Sequence, residues 1–316
     1  MPHCSHLRLL LAILALLVFG AAGLTAAAPP DATHVEAEHA TAGPHGGAEH
    51  HTLSLNAVEL FRIGPLRITN SMLVTWLVAA GIIIFAQIAT RKIKPIPTGA
   101  QNFWEWLVES LYLFLESVIG STLVKRTFWF FATTFIFILF LNWCGLIPGV
   151  GTIGWGHTNA AGTFIVDRPL FRGANADLNL TFAMAAVFFL LWIIWAIQMN
   201  GVGGVLVHIF GPKGETSGIL KILMLGIFFV VGILEVVSIL FRPISLSFRL
   251  FGNIYAGEVM LESMAAVVPS LAWLIPIPFY FLELLVGLVQ ALVFMLLTGV
   301  FTLLIAPHDP GHDAHH

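Results

Sequence analysis

Apolar residues run almost unbroken through five stretches of this chain, at about 68–89, 128–146, 180–199, 219–268 and 279–305. Each approaches or exceeds the ~20 residues that carry a helix across a bilayer. The runs are continuous and do not alternate in segments of ten, which favours helices over a barrel. The fourth run is too long for an upright span. As one straight helix it would reach ~75 Å, against a hydrocarbon thickness of ~30 Å. It must be steeply tilted or broken, with Pro243 its only proline before Pro269. Residues 100–122 follow a different pattern. Trp104, Leu107, Val108, Leu111, Leu115 and Val118 recur at helical spacing among Glu105, Glu109 and Glu116. That predicts an amphipathic helix in the interface, with Trp104 and Trp106 at headgroup depth; a buried packing helix is the alternative.

Composition agrees with the pattern. Of 316 residues 58% are hydrophobic and 10% charged, with mean hydropathy +0.92, where a soluble domain has about 25% charged residues. The expected fold is an all-α polytopic membrane protein. It has five membrane-embedded helices, a long tilted C-terminal helical hairpin and one interfacial helix on the cytoplasmic side. The net charge of −3 says nothing about nucleic acid, and no nucleic-acid partner is expected. Cys4 and Cys144 lie in different segments and imply no disulfide framework.

Basic residues orient the chain. Arg91, Lys92 and Lys94 close the first span, and Lys125-Arg126 opens the second. By the positive-inside rule both ends face the cytoplasm. Residues 1–28 read as a secretory signal, with Arg8 before a short apolar core and small residues from Ala21 to Ala28. Residues 29–58 form an external tail in which His34, His39, His45, His50 and His51 lack the regular spacing of a rigid metal site. Residues 59–306 form the membrane domain, and the His-rich residues 307–316 a cytoplasmic tail. An external loop at 149–177 carries Asp167, Arg168 and Arg172, and Asp177 is placed to cap the helix that follows. Residues 201–218 read as a cytoplasmic loop.

Within the fourth and fifth runs sit polar residues that lipid does not tolerate cheaply. An arginine at the bilayer centre costs roughly 2.5–3.5 kcal/mol on insertion scales, so it needs a partner, a watery cavity or a moving charge. Arg249 also keeps its proton at any working pH. Ser245, Arg249 and Asn253 are four apart and share one helical face. Glu235 lies about 40° off that face and ~21 Å along it. Glu258 points to the opposite face, ~13 Å further on. Glu283 and Gln290 are seven apart and form one stripe on the last helix. An antiparallel hairpin would bring Glu283 to Glu258 and Gln290 to Arg249. The result is a polar path, Glu258, Glu283, Asn253 and Gln290, that stops halfway at Arg249. Such a path suits a protein that hands an ion to something else. Arg242, beside Pro243, reads as structural.

These residues carry a resemblance. The run Ser247-Phe-Arg249-Leu-Phe-Gly-Asn253-Ile-Tyr-Ala-Gly-Glu258 resembles the signature of subunit a of the F-type ATP synthase membrane sector. Val289-Gln290-Ala291 through Thr298 is similar to that family's second signature, and Ala176-Asp177-Leu-Asn179-Leu-Thr181 and Asn200 to Gly204 also resemble its pattern. The resemblance covers about residues 52–306. It implies a non-catalytic, ion-translocating subunit of the inner membrane, without cofactor, that partners a ring of c subunits, peripheral-stalk b subunits and the rest of the complex. Arg249 would be the gate facing the ring. Asn253, Glu258 and Gln290 would line the outer half-channel, and Glu235 would lie on the cytoplasmic path. Some relatives carry His at the position of Glu283; this chain has Glu at both positions. No Gly-x-x-x-x-Gly-Lys-Ser/Thr loop is present, so no nucleotide site of that type is expected. Two other readings stay open. One is a stand-alone channel or secondary transporter, which would favour inverted repeats that are not visible here. The other is a scaffold in which Arg249 is helix–helix glue.

Overall fold

The computed structural model describes residues 57–306, apart from 64–65, 92, 159–163, 212–218, 268–270 and 272. The leader, most of the first His-rich tail, the C-terminal tail and residues 212–218 of the expected 201–218 loop therefore lie outside the described residues.

A small antiparallel hairpin, β1 (Glu59–Ile63) and β2 (Leu66–Thr69), leads into helix α1 (Asn70–Thr90). Thr69 caps α1 by accepting from the Met72 amide, which satisfies one of the four orphan donors of the first turn. Helix α2 (Ala100–Ile119) is the amphipathic segment. Its Leu111, Leu115 and Ile119 are buried while Phe103 and Trp106 stay exposed. Gly120 ends it at φ +81°, a conformation that costs glycine nothing. Helix α3 (Ser121–Gly145) starts at once. It begins seven residues before the expected Phe128, so Lys125 and Arg126 sit on the helix. A second hairpin follows, β3 (Gly154–Thr158) and β4 (Phe164–Pro169), then a 3-10 turn at Ala174–Ala176. Helices α4 (Leu178–Phe210), α5 (Ile219–Val267) and α6 (Ile277–Leu303) complete the chain.

Five of these helices are long and apolar enough to cross a membrane, and α2 is not among them. The expected all-α polytopic architecture holds. Helix α5 runs unbroken for 49 residues with Pro243 inside, about 74 Å of helix. Two expectations need correction. Helix α4 does not stop at Met199: it bends at Gly201, where φ is +68°, and resumes to Phe210. The last turns are held by packing, with the Phe210 ring against Gly232 of α5 and the Asn200 side chain donating to the Ile305 carbonyl at 2.7 Å. The loop at 149–177 is not irregular throughout, because it contains the β3–β4 hairpin.

Helix α3 forms the centre. Phe130, Phe131, Phe137, Ile138 and Leu141 are fully enclosed. Phe130 and Phe131 meet Trp195 of α4 edge to face at 5.8 and 6.0 Å. Both hairpins lie at one end of the bundle, where the Asn70 amide group donates to the Pro169 carbonyl at 3.2 Å. Arg91, Lys94, Lys125 and Arg126 mark the other, basic end.

Candidate functional site

Helix α5 lies antiparallel to α4. Thr181 meets Ser247 at 3.1 Å, Trp192 meets Arg242, and Phe210 meets Phe229. Helix α6 docks beside it, with Glu283 against Gly257 and Phe301 under Arg242. In that register Gln290 stands level with residues 250–253 of α5, one turn from Arg249.

The two faces of α5 differ. Ser245, Arg249 and Asn253 are all exposed, as their spacing predicts. Phe241 and Phe248 are exposed too, so the three polar residues sit on an otherwise lipid-compatible surface. No hydrogen bond or ion pair involving Arg249 is made with the other described residues, and none joins it to Gln290. Arg242 is different: its guanidinium stacks over the rings of Phe301 and Trp192, 4.7 and 5.8 Å from their centroids, with Glu235 two turns below in electrostatic reach. That stacking fits the structural reading of Arg242.

Half a helical turn and about 13.5 Å from Arg249, Glu258 turns inward. Its carboxyl lies directly on the Cα of Gly173 and accepts from the Gly173 amide, with Arg172, Glu262 and Glu283 in electrostatic reach. Glu283 is 3% exposed, and its carboxyl lies on Gly257 of α5. One oxygen of each carboxyl, Glu258 Oε2 and Glu283 Oε1, is enclosed without a hydrogen-bond partner. Beside them Asn175 Nδ2 donates to Asn142 Oδ1 at 2.6 Å, and Asn142 Nδ2 donates to the Gly287 carbonyl of α6 at 2.9 Å. Asn175 Oδ1 is enclosed and likewise unsatisfied. Buried oxygens of this kind are ordinarily matched by water or a shared proton.

The loop against Glu258 is pinned to its neighbours. Asp177 caps α4 by accepting from the Asn179 amide at 3.0 Å, and its other oxygen accepts from Ser71 Oγ of α1 at 2.5 Å. The loop that carries Arg172 and Gly173 is thereby fixed to α1 and α4. The structure thus unites Glu258 with Glu283, and separately Ser245 with Arg249 and Asn253. Glu235 stands apart, toward the basic end. Sequence reasoning missed Arg172, Gly173, Asn142, Asn175 and Glu262 as parts of the site. Asn142 alone carried a signal, as an amide inside an apolar run.

Fold and site together define a polytopic helical membrane protein with an open, charged helix face and two inward-facing carboxyls, Glu258 and Glu283, behind it. A family model described as ATP synthase A chain matches residues 72–302. The ATP synthase subunit a of Moorella thermoacetica is 32% identical over 255 residues, covering 81% of this chain and 97% of the relative. That of Gloeobacter violaceus is 30% identical over 257 residues, covering 81% and 90%. That of Trichlorobacter lovleyi is 34% identical over 235 residues, covering 73% and 85%. The chain belongs to the ATP synthase subunit a family, and so to a multi-pass membrane component of the ATP synthase complex.

Proposed function

We propose that this chain passes protons through two offset half-channels to and from a ring of c subunits, with Arg249 as the electrostatic gate. The observation that carries this is the open face of α5. Apolar side chains can face lipid without cost, because tails are as apolar as leucine. Ser245, Arg249 and Asn253 cannot, so this face is made for a partner that answers a fixed positive charge. A ring of carboxylates is such a partner.

The outer half-channel is the Glu258–Glu283 chamber at the hairpin end, with Asn253 and Gln290 leading toward the gate. The inner one opens near Glu235 at the basic end. A proton arriving from outside neutralises a ring carboxylate, which can then rotate into lipid. A carboxylate returning from the inner side must be ionised to pass Arg249, because the guanidinium favours the charged form. The same charge blocks protons from leaking straight between the half-channels. The membrane potential supplies ~2.3 kcal/mol per charge per 100 mV. The hairpin end then faces outward, with the mature N-terminus, and the C-terminus is cytoplasmic in a bacterial inner membrane. Peripheral-stalk b subunits hold the chain while the ring turns, and nucleotide chemistry belongs to other subunits.

The test is ATP-driven acidification of inverted membrane vesicles, wild type against Arg249→Ala, with the ring recovered by pull-down. Loss of acidification in an intact complex is the expected result. Acidification that survives in the variant makes Arg249 structural and ends the gate reading.

A further inference from the structure

Helix α6 is gripped by its backbone. Asn142 Nδ2 and Trp143 Nε1 of α3 donate to the carbonyls of Gly287 and Leu284, at 2.9 and 3.2 Å. Trp192 Nε1 of α4 donates to that of Phe301 at 2.9 Å, and Asn200 Nδ2 to that of Ile305, just past the helix, at 2.7 Å. A carbonyl has two lone pairs, so these bonds add to the helical ladder without displacing it. In lipid such bonds decide position. Apolar side chains pack against a neighbouring helix about as well as against tails, and they define its height and rotation only loosely. A slip of one residue turns a helix by about 100° and moves it 1.5 Å. Two donors on adjacent residues of α3, met by carbonyls one turn apart on α6, resist such a slip.

The α3 pair sits where height and rotation matter. Leu284 follows Glu283, whose carboxyl lies on Gly257 of α5. At Gly287 a Cβ would lie 3.0 Å from the Asn142 Cβ, so glycine lets the two helices close to hydrogen-bonding distance. Asn142 also works in a second direction. Its Oδ1 accepts from Asn175 Nδ2 at 2.6 Å, and Asn175 stands two residues after Gly173, whose backbone lies on the Glu258 carboxyl. One side chain of α3 is thus a common reference for the helix that carries Glu283 and the loop that touches Glu258. Resting on the outer-path reading above, we propose that Asn142 and Trp143 are positioning residues of the ion path: they set the height and rotation of α6 on α3, and with them the placement of Glu283 against Glu258. The other charged groups near the two carboxyls are Arg172 of the loop and Glu262 of α5. Trp192 supplies a control, because Phe301 is about 27 Å along α6 from Glu283.

The complete ATP synthase in liposomes tests this, with ATP synthesis driven by an imposed proton gradient over a series of acidic-side pH values. Trp143→Phe keeps a ring and removes the indole N–H, and Trp192→Phe does the same at the far end of α6. Trp143→Phe is expected to lose about fivefold of the rate and to move the half-maximal pH by about one unit. Asn142→Leu, which also releases Asn175, is expected to lose about tenfold with a shift of the same kind. Trp192→Phe is expected to lose comparable thermal stability and to keep the wild-type pH profile. A half-maximal pH that stays at the wild-type value in both α3 variants overturns the proposal, whatever their rates. A Trp192→Phe profile that shifts as theirs do overturns it as well, since the bonds are then general helix glue. Failure of both α3 variants to assemble, beside an intact Trp192→Phe complex, makes the pair structural and has the same consequence. A wild-type complex that makes no ATP under the gradient overturns the half-channel reading itself, and this proposal with it.

Discussion

Helices α3 and α5 are both long, apolar and membrane-length, yet they are used in opposite ways. In α3, 67% of the spanning window is buried inside the chain; in α5 the share is 11%. Helix α3 surrounds itself with α1, α2 and α6 and fills the centre with stacked aromatics. Helix α5 lies along α4 and α6 and leaves a long side open. Hydrophobicity cannot separate these roles, since in lipid an apolar surface gains little by burial. Polar residues can. Thr127, Thr133 and Asn142 of α3 are buried and find partners inside the chain, while Arg249 finds none among the described residues.

If that contrast is right, the largest effect belongs to the open face. Arg249→Ala is expected to lower proton pumping by about 100-fold or more without loss of folded protein, measured by vesicle acidification beside thermal stability. Next comes the closed helix. Phe137→Ala opens a cavity in α3 and is expected to cost about 2 kcal/mol, because the cavity cost remains when the transfer cost to lipid disappears; thermal unfolding in detergent reads it. Phe241→Ala on α5 is the matching control, with a stability change within about 0.5 kcal/mol and weaker recovery of the ring. A large stability loss at Phe241 would break the comparison.

On the other face of α5, Gly257→Ala places a methyl where the Glu283 carboxyl sits. Pumping should fall about tenfold while the fold survives, since a carboxyl end can shift where backbone cannot. The smallest expected effect is at Arg242→Met, which removes the stacking on Phe301 and Trp192. A loss of about 1 kcal/mol in thermal stability with pumping retained would keep Arg242 in its structural role.

Much of this was legible from spacing. The five membrane runs and the amphipathic α2 follow from periodicity, and the Asp177 cap from residue type. The separation of Arg249 from Glu258 onto opposite faces of α5 follows from nine residues at 3.6 per turn. The extra turns of α4 were not legible, because Asn200-Gly201 and the glycines after it read as a helix end. Contacts with α5 and α6 override that weak local preference. The hairpins were missed because strands of four to six residues in glycine-rich sequence carry little pattern of their own. Asn253 lies on the exposed face of α5 with Arg249, opposite Glu258, as its spacing predicts.

Helix number, helix faces and the position of Arg249 on its face are local properties, written in a repeat of 3.6 residues, and the linear chain settled them. Which groups close the chamber is not local. Arg172 and Gly173 reach Glu258 from some 85 residues away because Asp177 binds Ser71 and Asn70 binds the end of β4. No periodicity records such a meeting. A loop arginine looks like any solvated charge until folding buries it, and only the packed structure turns it into a neighbour of the carboxylates.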